Sequence, residues 1–166
     1  MLEKVDLLLL GGGMWEEYRD YWKKALHEKG FSANELKYAQ WAEKTQHIIF
    51  SSTLTEAGWQ NARLEKVDEL EAFVAQIKAG PGGAIQIVGG AQFAQGMIDT
   101  GLVDEYRIFV NPVIVGKGKS FFHQLQTRHN LKRNEVILMD SGLVVLSYKQ
   151  LDSDDAENVK GAKRRE

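Results

Sequence analysis

Gly89 and Gly90 close a short apolar run, Ala84–Val88, and open a helical segment that runs from Ala91 to Thr100. The run has the pattern of a strand buried on both faces. A glycine corner between such a strand and a helix turns bare backbone N–H groups and the positive end of a helix dipole outward. That arrangement suits a phosphate. The residues placed to make the contact are Gly89, Gly90, Ala91, Gln92 and Phe93. A second glycine corner stands near the start of the chain, where Gly11, Gly12 and Gly13 follow the apolar run Val5–Leu10 and Met14 begins a helix. Taken alone, a triple glycine is equally a flexible turn with no ligand, since glycine costs conformational entropy wherever it is ordered.

Other chemistries find no support. The chain has no cysteine, so disulfides, thiolate nucleophiles and thiolate metal sites are excluded. His27, His47, His123 and His129 form no metal-ligand pair such as H-E-x-x-H. There is no Gly-x-Ser-x-Gly elbow and no Walker A spacing; Gly116-Lys117-Gly118-Lys119 reads as a solvated loop. Asp104 and Glu105 form an adjacent acidic pair before a strand. A carboxyl group with a raised pKa there could donate a proton. Successive strand residues point to opposite faces, so at most one could enter a pocket, and solvated carboxylates are the simpler expectation.

The elements that must hold these corners alternate along the chain. Val5–Leu10 is a strand, and the helix after it carries Trp15, Tyr18, Trp22, Ala25 and Leu26 on one face. That stripe is expected to cover the sheet. Ser32 or Asn34 caps a helix reaching about Glu43, and Gln46–Phe50 is the next strand. Asp68 is expected to cap a helix with Leu70, Phe73, Val74 and Ile77 on its apolar face, stopped at Gly80. Beyond the organising corner, Tyr106–Val110 is a strand. His129–Met139 and Leu143–Lys149 form a hairpin about Ser141-Gly142. With 166 residues, 43% of them hydrophobic, the chain suits one domain, 1–151, followed by a charged, disordered tail, 152–166. A net charge of −2 gives no basic field for nucleic acid or membrane, no apolar stretch approaches a membrane span, and a cytoplasmic location is expected.

The ordered set Val88-Gly89-Gly90, Gly101-Leu102-Val103-Asp104-Glu105, Pro112-Val113 and Gly116-Lys117-Gly118 before Phe121-Phe122 resembles the pyridine-nucleotide reductases of the dihydrofolate reductase-like family. Within it, the set is most similar to the reductase domain of the bifunctional riboflavin-biosynthesis deaminase/reductase and its stand-alone bacterial relatives. Leu8–Gly11, Trp15-Glu16 and Tyr21-Trp22 match as well, as do Ser51, Thr53, Leu54, Trp59 and Asn61. The resemblance implies a three-layer α/β/α fold, with a mainly parallel sheet and an antiparallel C-terminal hairpin. It also implies a homodimer through the strands near the C-terminus.

By the same resemblance the cofactor is NADPH, with NADH open, and the substrate is a small heterocycle of pterin or pyrimidine type. Gly89 and Gly90 with the helix after them would take the diphosphate. Gly11, Gly12, Gly13 and Met14 would lie across from it, and Ser51, Ser52 and Thr53 near the adenosine. Read without the resemblance, SSTL is an ordinary polar strand end. Five departures stand out. Gly12 replaces a usual Arg and Met14 a usual Thr, so position 14 offers only its N–H. Ser52 replaces an Arg that pairs with the 2′-phosphate, a charge-assisted contact worth roughly 1.5–3 kcal/mol; Lys44, His47 or Arg63 could compensate. Val88 stands where riboflavin reductases place Glu, which points away from their substrate. The chain also begins at what resembles the family's second strand. A truncated or degenerate member, acting as a nucleotide-binding or dimerising module, is the competing expectation.

Overall fold

The computed structural model describes residues 4–118, 120–123 and 125–151. The expected tail, 152–166, and Lys119 lie outside them. The chain divides into two compact units, Met1–Met97 and Ile98–Glu166.

The first unit is built on four parallel strands, β1 (Val5–Gly11), β2 (Gln46–Phe50), β3 (Ala62–Glu65) and β4 (Ala84–Gly89), in the order β3-β2-β1-β4. Helices α1 (Gly12–His27), α2 (Ala33–Lys44), α3 (Leu70–Ala79) and α4 (Ala91–Asp99) accompany them. The two-residue period of a strand divides the core between two faces. Leu8, Leu10 and Ile49 pack with Trp15 and Tyr18 of α1 and with Trp59. Leu9, Ile48 and Phe50 are buried on the opposite face, where the Phe50 ring meets Phe73 of α3 and Phe93 of α4. Helices thus cover both faces, the three-layer arrangement expected. The aromatic stripe of α1 is core: Trp15, Tyr18 and Ala25 are all buried.

The second unit is a three-stranded antiparallel sheet, β5 (Glu105–Val110), β6 (Leu131–Leu138) and β7 (Val144–Gln150), ordered β5-β7-β6. The hairpin of β6 and β7 forms as expected, closed by Met139 N donating to Leu143 O and by Gly142 at φ +82°. β5 was expected among the parallel strands. It instead pairs antiparallel with β7, through Tyr106 with Tyr148, Ile108 with Leu146 and Val110 with Val144. These pairs put matched apolar and aromatic residues in one row, which fixes the register.

Local boundaries also differ from the sequence reading. Ala62–Glu65 is a strand that went unread, because four residues with two charges carry little strand signal. It pairs with β2 through His47 with Ala62 and Ile49 with Leu64. Asp68 does not cap α3; it lies in a 3-10 turn over Val67–Glu69, and the α3 N-cap, Glu69, makes no side-chain cap bond. Ser32 does cap α2, in a capping box with Glu35. β4 is half-buried rather than buried on both faces, as befits the edge strand of its sheet.

Candidate functional site

The four strands of the first unit run parallel, so their carboxyl ends share one rim. In open α/β sheets ligands bind at that rim. Each sequence-selected segment starts there: Gly11–Met14 after β1, Ser51–Thr53 after β2, Gly89–Phe93 after β4. The glycines show how closely they approach one another. A Cβ on Gly11 would lie 2.7 Å from the Phe93 Cβ, and one on Gly12 would lie 2.6 Å from the Ser51 Oγ. A Cβ on Gly89 would meet the Met14 sulfur at 3.4 Å. All three segments therefore converge on the α1 start.

Gly12 and Gly13 are not a loop. Gly11 is the N-cap of α1 at φ −84°, and both following glycines belong to its first turn. The strand passes into the helix without an intervening turn, so the amides of Gly12, Gly13 and Met14 are first-turn amides, which an α-helix leaves without intrahelical acceptors. The start of α4 repeats the arrangement. Ala94 N donates to Gly90 O at 2.9 Å, which puts Ala91, Gln92 and Phe93 in the first turn. Gly89 sits at φ +125°, where an L side chain is strained, and its peptide bond to Gly90 is cis. Open space lies where Cβ atoms would stand on Gly13 and Gly90. Two helix starts with side-chain-free positions are a donor set that fits a diphosphate.

Ser51 has a task within its own loop. Its Oγ accepts from Thr53 N at 3.2 Å and Leu54 N at 3.0 Å, so it shapes the loop after β2. Ser52 and Thr53 are exposed at the rim. Behind the loop, Trp15 Nε1 donates to Ala57 O at 2.8 Å, fastening α1 to the segment between β2 and β3.

Beneath this lies a polar chain of which sequence reasoning named His47 only as a candidate cation and Tyr18 only as core. His47 is fully buried; its Nδ1 is 2.9 Å from Thr45 O and its Nε2 is 3.2 Å from the Tyr18 hydroxyl, which is 3.2 Å from that of Tyr38. Burial lowers the His47 pKa to about 4 and raises those of Tyr18 and Tyr38. The imidazole is neutral and already partnered, so it offers no charge to a phosphate. Lys44 is equally unsuited. With Gln46, Gln60, Asn61, Ala62 and Arg63 it lines a hollow of about 380 Å³ at the amino ends of β2 and β3, opposite the rim. Arg63 is committed to Glu65, 3.2 Å away, and to the face of Phe73. None of the three compensators suggested by sequence occupies the rim.

Glu105 lacks the raised pKa that a general acid needs. Glu105 pairs with Arg107 at 2.6 Å, and that contact holds its carboxyl below the usual carboxylate range. Among the described residues no cluster could hold a metal ion, and no helix is long and apolar enough to cross a membrane.

Comparison with known proteins agrees with this fold. Residues 1–145 match the RibD C-terminal domain. YyaP of Bacillus subtilis strain 168, an uncharacterised protein, is 29% identical over 147 residues, 89% of this chain and 75% of its own. YwjB of the same organism, also uncharacterised, is 36% identical over 91 residues, 54% of this chain and 51% of its own. A protein of Shewanella sp. PV-4 assigned to riboflavin biosynthesis shares the fold with a TM-score of 0.63 at 15% identity, over 91% of this chain and 77% of its own. A pyrimidine reductase-like protein of Corynebacterium diphtheriae does so at 0.55 and 13% identity, over 90% and 77%.

Proposed function

The chain belongs to the RibD C-terminal domain family, and on that footing we propose that it is an NADPH-dependent reductase of a small heterocycle, of pterin or pyrimidine type. The observation that supports this best is the convergence of Gly11–Met14, Ser51–Thr53 and Gly89–Phe93 at one rim, with open space before Gly13 and Gly90. The first-turn amides of α1 and α4 hold the diphosphate. Ser52 and Thr53 face the adenosine side, while Ser51 keeps their loop in shape. When bound, the nicotinamide supplies hydride to a C=N or C=O bond of the substrate; the chain's contribution is to fix geometry and exclude water. Val88 before the Gly-Gly corner, in place of a carboxylate, favours a substrate other than that of the riboflavin reductases.

The functional unit is a homodimer in the soluble cytoplasm, with no nucleic-acid or membrane partner. Val113, Ile114 and Val115, at 67%, 97% and 77% exposure, are apolar surface that a second copy would cover. A second reading, a non-catalytic nucleotide-binding or dimerising module, draws on Met14 and Ser52, which remove two hydroxyl or guanidinium contacts usual in such reductases.

Tryptophan fluorescence separates the readings, because all four Trp lie in the first unit. Saturable quenching by NADPH, with NADPH oxidation on adding a dihydropteridine or aminopyrimidine substrate, supports the reductase. Quenching without oxidation across such substrates leaves the module, and no quenching at millimolar NADPH removes both.

A further inference from the structure

We propose that the hollow at the amino ends of β2 and β3 is a second binding site, which takes a small oxyanion: the phosphate or carboxylate group of a metabolite. It lies at the opposite end of these strands from the nucleotide rim and does not depend on it. Its volume of about 380 Å³ is that of a small-ligand site, and its lining is Lys44, Gln46, Gln60, Asn61, Ala62 and Arg63. Two of these six are cations, three are primary amides and none is an acid, in a chain whose net charge is −2. An ordinary solvated face of such a chain would intersperse carboxylates among its cations.

Local pairing assembles these walls. Lys44 is the last residue of α2, and Gln46 is the first of β2. His47 N donates to Asn61 O at 2.8 Å, which seats the Gln60-Asn61 turn beside Gln46. A helix C-terminus ordinarily repels an anion, through its unpaired carbonyls. Those of α2 are taken. Trp41 O accepts from Thr45 N and Thr45 Oγ1, Ala42 O accepts from Thr45 N, and Glu43 O accepts from Asn61 Nδ2 at 2.9 Å. What remains is a surface of donors. The side chains of Lys44, Gln46 and Gln60 have no hydrogen bond or ion pair among the described residues. Arg63 meets Glu65 through its Nε, and its guanidinium lies 5.3 Å from the centre of the Phe73 ring. These two contacts hold the guanidinium plane and leave its terminal nitrogens for an oxyanion.

The test is an NMR titration of the ¹⁵N-labelled full chain with inorganic phosphate and, separately, with malonate, at constant ionic strength so that general screening does not change. The side-chain NH2 signals of Gln46, Gln60 and Asn61 read the hollow apart from the glycine corners, whose backbone amides report on their own. These signals should shift saturably with at least one of the two anions, with a Kd of about 1 mM, and the tighter anion identifies the head group. Lys44→Ala should raise that Kd about tenfold. Gln60→Ala, which leaves the charge unchanged, should raise it about fivefold. Lys37→Ala removes an equal charge from an exposed position on α2 outside the lining and should leave it within about twofold. Thermal melting of each variant checks that these exposed substitutions leave the fold intact. The assignment is overturned if neither anion gives saturable shifts at the three side-chain amides. It is equally overturned if Lys37→Ala weakens binding as much as Lys44→Ala, or if Gln60→Ala has no effect, because a diffuse positive field would then account for the shifts.

Discussion

Gly12 and Ser51 stand so close that a methyl group on the first would lie 2.6 Å from the hydroxyl oxygen of the second. The contact joins the start of α1 to the loop after β2. It makes Gly12 a packing glycine, while its neighbour Gly13 faces open space. The two positions should respond oppositely. Gly12→Ala must push Ser51 off the amides of Thr53 and Leu54, at a cost of about 1–3 kcal/mol in stability. Gly13→Ala, in the first turn of a helix, should be neutral or stabilise by up to about 1 kcal/mol. Urea unfolding of both variants checks the pair; equal losses would remove the distinction.

Gly89 is a different case, because its backbone sits at φ +125°. Gly89→Ala should cost about 1–2 kcal/mol and weaken nucleotide binding with it, since this corner is the part that aims amides at the diphosphate. Melting temperature and NADPH titration on the same preparation measure both effects.

His47 gives the chain a sensitivity to mild acid. Burial sets its folded pKa near 4, below the 6.5 of the free side chain. Between those values the unfolded chain binds a proton that the folded chain refuses. Stability is thus full above about pH 6.5 and falls as the pH drops towards 4, by roughly 3 kcal/mol at the limit from this group. Guanidinium unfolding from pH 7.5 to pH 4 should show the slope, and His47→Gln should flatten it. A wild-type curve that is level between pH 6.5 and pH 4.5 would contradict the assignment of a neutral, buried imidazole.

Trp15 fastens α1 to the segment after the rim loop through its bond to Ala57 O, 2.8 Å long. Trp15→Phe keeps most of the ring packing and deletes the donor. It should cost about 1 kcal/mol or somewhat more, because the carbonyl is left partly buried without its partner. The change should also lower NADPH affinity through the loosened loop. Thermal denaturation and fluorescence from the remaining tryptophans report the two outcomes.

Much of this was legible in the sequence because it lies in runs with a clear period. LLLL before a glycine, QHIIF, and AIQIVGG announce the parallel strands and the corners at their ends, and the i, i+3, i+4 aromatic stripe announces α1. Ser32 was one of two caps read for α2, and the structure uses it rather than Asn34, while the capping start read at Asp68 is a 3-10 turn. What escaped was set by long-range pairing. ARLE becomes β3 only because β2 offers it a partner, and β5 turns antiparallel only because β7 lies beside it.

Amide hydrogen exchange of the whole chain, with and without saturating NADPH, tests the central claim most directly. Protection should appear at the first-turn amides of α1, at residues 12–14, and of α4, at residues 91–93, with a smaller effect at residues 52–54. Protection confined to other segments, such as those lining the hollow at Lys44 and Arg63, or no change at the two glycine corners under saturation, would contradict it.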